Sequence, residues 1–143
     1  MPLRIMGLDM GSKTIGVAVS DELRLIAHAK ETIHRQTKEK DLETIAELIE
    51  RLDVTRIVVG LPVNMTGTLG AEAKKVLQFV QDMRRTLPVS IITWDERLST
   101  VQAKRVLLDA GLSRKKRKKV IDKTAATVIL QTYLDAERIR ESS

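Results

Sequence analysis

The stretch GLDMGSKTIGVAVSD, residues 7–21, decides the fold. It reads as two strands, Ile5 to Met10 and Thr14 to Ser20, hinged on the short turn Gly11-Ser12-Lys13. Alternation along the first strand puts Ile5, Gly7, Asp9 and Gly11 on one face and Met6, Leu8 and Met10 on the other. Asp9 therefore shares its face with glycines on either side. A carboxylate standing over bare backbone in a core strand is costly unless something binds there.

In the second strand Gly16, Ala18 and Ser20 share one face, while Ile15, Val17 and Val19 share the other. A small-residue face thus continues beside Asp9. Asp21-Glu22 predicts a turn into a third strand within Arg24 to Ile33, completing an antiparallel meander. From Lys38 to Leu52 the period changes: Leu42, Ile45, Leu48, Ile49 and Leu52 recur at helical spacing. Arg56 to Val59 is a short β-branched run, a buried strand by its length, and Gly60 to Gly67 reads as a loop. A second helix is expected from about Gly70 to Thr86, with Val76, Leu77, Val80, Met83 and Leu87 on one stripe. Val89 to Trp94 is the next strand and ends in Asp95-Glu96-Arg97. Ser99 to Gln102 fits a capping box for a helix that stops at Gly111, and a last helix carries Ala125, Ile129, Tyr133 and Ala136.

Short buried strands separated by helices imply parallel crossovers beside the meander. The fold class expected is α/β, with one mixed five-stranded sheet flanked by helices: a three-stranded antiparallel meander plus two parallel strands. That is the element order of an RNase H-like fold, with residues 1–143 forming one domain.

Composition bounds the chemistry. A chain that is 43% hydrophobic and 31% charged is globular. Aromatics make up only 2%, so the core must be aliphatic, and binding of single strands mainly by stacking on rings is disfavoured. The absence of cysteine excludes disulfides and thiolate metal sites, and His28 and His34 alone make a zinc site a poor fit. No run of 18 apolar residues appears, and Met1-Pro2 leads straight into a strand, so a cytoplasmic protein without membrane association is expected. The net charge of +6 has one location: the run Arg114, Lys115, Lys116, Arg117, Lys118, Lys119. The 25 Lys and Arg less these six equal the 19 Asp and Glu, so the rest of the chain is neutral. Most charge runs are solvated loops. Six adjacent cations nevertheless repel one another, and a polyanion such as nucleic acid relieves that repulsion.

Acidic residues fall at three informative places: Asp9, Asp95-Glu96 and Asp122. If the first and last strands lie near each other, their carboxylates converge into an oxygen site suited to Mg²⁺ or Mn²⁺. Such ions activate water and stabilise the leaving oxygen of a phosphodiester. Each acid alone has a plainer reading. Asp122 fits a helix N-cap, Asp95 fits an ion pair with Arg97, and Glu96 by itself says little. Asn64 and Thr66 precede a helix N-terminus, where phosphate is favoured, although the same residues suit an ordinary connection. Ser12, Lys13 and Thr14 are likewise either turn-formers or phosphate donors beside Asp9.

Four motifs in order then carry a resemblance over nearly the whole chain. They are Asp9 to Ala18, Gly60 to Gly67, Asp95-Glu96-Arg97-Leu-Ser-Thr100, and Asp122 to Leu130 with Tyr133-Leu134. The chain resembles the bacterial YqgF (RuvX) family, regarded as Holliday junction resolvases and as nucleases of pre-16S ribosomal RNA. The family often has Arg after the lysine of its first motif, where this chain has Thr14. The resemblance implies a metal-dependent nuclease with Asp9, Glu96 and Asp122 in the catalytic, metal-holding positions. Lys13, Asn64, Arg97 and the basic run are the residues expected to meet nucleic acid. Pre-16S rRNA, within a small-subunit precursor, is the expected substrate; branched DNA is the alternative, and monomer and homodimer both stay open. Two rival classes remain. Asp-x-Gly before a small-residue hairpin also resembles the phosphate loop of actin, Hsp70 and sugar-kinase ATPases, but 143 residues leave no room for their second domain. A non-catalytic binding module would use the basic run alone.

Overall fold

The computed structural model describes residues 3–97 and 124–142. Its hairpin forms as the alternation requires. Strand β1 (Arg4–Met10) pairs antiparallel with β2 (Thr14–Ser20), Asp9 opposite Gly16, and β2 pairs antiparallel with β3 (Ala27–His34). Asp21 organises the turn before β3: its Oδ1 accepts the Leu25 and Ile26 N–H groups at 2.8 and 2.9 Å, and Arg24 takes a positive φ of 60°. These bonds favour the ionised carboxylate and hold Asp21 below its usual pKa.

Helix α1 (Lys38–Arg51) starts where Thr37 caps it, the hydroxyl accepting the Lys40 N–H at 3.1 Å. The chain then returns as β4 (Val54–Leu61), passes through α2 (Ala71–Thr86) and enters β5 (Ser90–Asp95). Both β4 and β5 are parallel to β1, giving the five-stranded order β3-β2-β1-β4-β5. The mixed sheet is the one expected. A last described helix, α3 (Ala125–Ser142), crosses the other face.

Side-chain parity sorts the two layers. Met6, Leu8, Ile15, Val17, Ile57 and Val59 point to α1 and α2, where Ile45, Val80 and Met83 complete an aliphatic core. Ile5, Ala18 and Val58 point to α3 and pack against Ala126, Ile129, Leu130 and Tyr133. Fully burying one such Leu or Ile contributes about 1.5–3 kcal/mol.

Three expectations are corrected here. Strand β4 does not end at Val59: Gly60 and Leu61 pair with Trp94 and Asp95, because β5 supplies backbone partners two rungs further. The buried stripe of α3 is Ala126, Ile129, Leu130, Tyr133 and Leu134; Ala125, in the first turn, is exposed. On α2, Phe79 and Ala73 are buried, whereas Leu77 is only half-buried. The helix expected from Ser99 to Gly111 lies outside the described residues.

Candidate active site

The carboxyl ends of β1, β4 and β5 lie side by side, which is where open α/β sheets place their ligands. Asp9 reaches this edge on the α3 face of β1. On β5 the same face carries Ile92 and Trp94, both packed in the α3 layer, and Glu96, one residue beyond the strand, lies with Ile129 of α3 around Gly60. Asp95 has the opposite parity and is held elsewhere. Its carboxylate accepts from Arg97 Nη2 at 2.8 Å, from Nε at 3.1 Å and from the Arg97 N–H at 2.9 Å. Those bonds keep Asp95 ionised and below its usual pKa. The Asp95–Arg97 pair expected from sequence is present, and it engages the Asp95 carboxylate.

Asp9 and Glu96 are both half-buried, and both are raised above the usual carboxylate range. Burial alone lifts Asp9. For Glu96 burial is the largest cause, followed by the charges of Asp9 and then Asp95. Two carboxylates from the two outer parallel strands therefore share one electrostatic neighbourhood.

Glycines shape it, but not in the way the sequence suggests. A Cβ on Gly7 would stand 2.8 Å from Leu130 Cβ and 3.1 Å from the Ala126 carbonyl, so Gly7 makes room for α3 and not for a ligand. Gly11 is confined by its own turn, where a Cβ would meet the Thr14 carbonyl at 2.8 Å. The glycines that border the acids are Gly16 and Gly60. A Cβ on Gly16 would lie 3.6 Å from Asp9 Cβ, and one on Gly60 would meet Ile129 Cδ1 at 2.4 Å and Glu96 Oε1 at 2.8 Å. Sequence reading placed Gly60 in a loop and missed it as the wall behind Glu96. A glycine closing a β-branched run was the available signal.

Residues 3–136 match the RuvX family, described as Holliday junction resolvases. The chain belongs to the RuvX family. A RuvX relative from Desulforamulus reducens is 54% identical over 134 residues, spanning 94% of this chain and 98% of its own. One from Thermoanaerobacter pseudethanolicus is 53% identical over 137 residues, spanning 95% and 99%. Both are named, provisionally, as pre-16S rRNA nucleases. Among solved structures, RuvC of T. thermophilus in complex with a Holliday junction substrate is similar, with TM-score 0.64, 14% identity and 96% of each chain covered. That likeness shows the RNase H-like fold.

The other expected residues of this RuvX chain fall into groups. Asn64 and Arg97 come together: Arg97 Nη1 donates to the Asn64 carbonyl at 3.3 Å, tying the β4–α2 loop to the end of β5. That loop is a tight turn, with the Gly67 N–H on the Asn64 carbonyl at 2.8 Å, Gly67 at φ +87°, and Asn64 Nδ2 donating to Thr68 Oγ1 at 3.0 Å. Lys13 is exposed on the β1–β2 turn. Asp122 and the run Arg114, Lys115, Lys116, Arg117, Lys118 and Lys119 lie outside the described residues. Among the described residues no three His, Asp or Glu side chains gather as a metal group, so Asp9 and Glu96 stand as a pair. The donor chemistry of that pair suits a hard cation, because oxygen ligands and positive charge would offset both the burial and the mutual repulsion.

Proposed function

We propose that the chain is a metal-dependent endonuclease that hydrolyses phosphodiester bonds in structured nucleic acid, with the 5′ end of pre-16S rRNA as its substrate. The observation that carries this reading is the approach of Asp9 and Glu96 from β1 and β5 on one face of the sheet, each raised in pKa and bordered by glycine. Membership of the RuvX family and the names of its relatives support the nuclease and the RNA substrate.

Asp9 and Glu96 would hold Mg²⁺ or Mn²⁺, with Asp122 completing the set. When bound there, the metal supplies Lewis acidity for the phosphoryl oxygen and lowers the pKa of a water. The chain's own part is to present two half-buried carboxylates on one face of the sheet, Asp9 on β1 and Glu96 just beyond β5, with β4 pairing between the two strands. Lys13 on the turn and the basic run from Arg114 to Lys119 would hold the backbone by charge, and the Arg97-anchored turn at Asn64 would border the same edge.

The test is cleavage by the purified protein of a 5′-extended 16S precursor and of a four-way DNA junction, side by side, with Mn²⁺ and with EDTA. Cutting of the precursor only with metal is expected, and Asp9→Asn should abolish it. Cleavage that persists in EDTA excludes the metal role. The family's description as Holliday junction resolvases favours the junction as second substrate. Preference for the junction over the precursor would establish it as the first. Metal-dependent binding without cutting of either would leave a binding module for ribosome assembly.

A further inference from the structure

We propose that Arg35 is a positioning residue of this site: it clamps the β1–β2 turn to α1 and α2 and thereby fixes where Asp9 and Lys13 stand. The inference rests on the reading of Asp9 as a metal-holding carboxylate.

Arg35 directly follows β3 and bonds in three directions. Its N–H donates to the Lys13 carbonyl at 2.9 Å, and its Nη1 donates to the Gly11 carbonyl at 2.8 Å. Its Nε donates to Asp41 Oδ2 at 3.4 Å, and its guanidinium carbon lies 5.4 Å from the centre of the Phe79 ring. The anchors are fixed. Asp41 is 3% exposed, its Oδ1 taken by the Gln36 N–H at 3.0 Å, and Phe79 belongs to the core. From the other side the Gly11 N–H donates to the Thr14 carbonyl at 2.8 Å.

The turn needs such a tie. Ser12 and Lys13 are exposed, and beneath them lies a cleft of about 560 Å³ between the turn and the two helices, with Lys38, Lys75 and Val76 among its walls. Arg35 spans this cleft. Only a planar fork can hold a carbonyl with one nitrogen and a carboxylate with another while lying over a ring. Gly11 stands two residues beyond Asp9 on the same chain, and the last rungs, Asp9 opposite Gly16 and Met10 opposite Ile15, transmit any lift of the turn. A displacement near 1 Å at a catalytic group costs about a hundredfold in rate.

Arg35→Gln and Arg35→Lys in the full chain test the clamp, with Arg51→Gln as control, since among the described residues Arg51 makes an exposed pair with Glu31 at 3.0 Å. Mn²⁺ affinity would be read from the free-ion spin-resonance signal without substrate, and kcat and KM from cleavage of the precursor RNA. For both Arg35 variants we expect Mn²⁺ affinity and kcat to fall, kcat by about 10- to 100-fold, and KM to rise far less. The control should match wild type. A folded Arg35→Gln protein with wild-type Mn²⁺ affinity and kcat overturns the clamp, and so does full recovery by lysine, which keeps the charge without the fork. Should Arg35→Gln fail to fold, Asp41→Asn decides. It keeps the volume and an acceptor for Gln36, yet presents an amide to Arg35, and it should shift both quantities the same way by less; wild-type values there also overturn the clamp. Asp9→Asn, run in parallel, separates the two readings. If it cuts like wild type the site itself is misassigned and the clamp falls with it. If it is dead while Arg35→Gln is normal, only the clamp is lost.

Discussion

At Asp9 burial lifts the carboxyl above its usual range, and at Glu96 burial is joined by the charges of Asp9 and Asp95. Both groups bind protons more tightly in the folded chain than in the unfolded one, whose carboxylates titrate near about pH 4. Their contribution to stability is therefore intact below that range and is lost as pH rises through the raised folded values. Asp21 and Asp95, lowered by their hydrogen bonds, act in the opposite sense and lose stability on acidification. The difference between variants isolates the site. In EDTA at pH 7, Asp9→Asn should melt above wild type, by about 2–5 °C, and the gap should close as pH falls toward 4. Mn²⁺ should raise the melting temperature of wild type much more than that of Asp9→Asn. A variant that melts below wild type at pH 7 without metal would contradict the cost assigned to this carboxylate. Asp9 was legible from sequence because alternation alone exposes a mid-strand acid among small residues. Glu96 was not separable from Asp95 by sequence alone, since which face of β5 meets α3 is set by a helix far along the chain. Only the resemblance chose between them.

Elements explain why glycines that look alike in the sequence do different work. Gly7→Ala would drive a Cβ into Leu130 Cβ and the Ala126 carbonyl, parts of α3 that cannot swing aside. It should destabilise the fold by about 1–3 kcal/mol in urea unfolding. Gly60→Ala meets the ends of two side chains, Ile129 and Glu96, which can move. Its stability should change less, while cleavage falls by about tenfold or more as Glu96 is pushed from its place. Gly16→Ala makes only ordinary contacts at 3.6 Å and should fold like wild type. Equal losses of stability in Gly7→Ala and Gly60→Ala would refute this division. The sequence could not assign these roles, because the helix that meets Gly7 and Gly60 comes from far along the chain. The stripe of α3 was legible only in part for a related reason. A helix packed across β1, β2 and β4 buries a wide face, and a four-residue pattern starting at Ala125 catches Ile129 and Tyr133 but not Ala126, Leu130 and Leu134 beside them.

For the whole molecule, the mixed sheet was readable because period two gives way to period 3.6 where the meander ends, and parallel returns then leave few arrangements. Charge was readable as a sum but not as a surface, since Arg114 to Lys119 lie outside the described residues. If that run holds phosphates, binding must weaken steeply with salt. Each contact adds about −0.9 to the slope of log K against log[salt] on duplex DNA and about −0.7 on single strands, so six contribute at most about −5 or −4. Replacing all six with Ser should flatten the slope and weaken binding across unrelated sequences, with turnover at saturating substrate less affected. Titrations at several salt concentrations check this, and an unchanged slope means the run is only solvated.

Ala126, Ile129 and Leu130 cover the sheet face that carries Asp9, and Gln131 caps the Ala27 N–H from 104 residues away in sequence. A chain made from its N-terminus meets this cover late. At about 5–20 residues per second, a ribosome that has finished β1 needs on the order of ten seconds to reach α3. Through that interval Ile5, joined in turn by Ala18 and Val58, offers an apolar surface to any chaperone nearby, and Asp9 stands without its partner acids. The nascent protein therefore carries Asp9 well before it can use it.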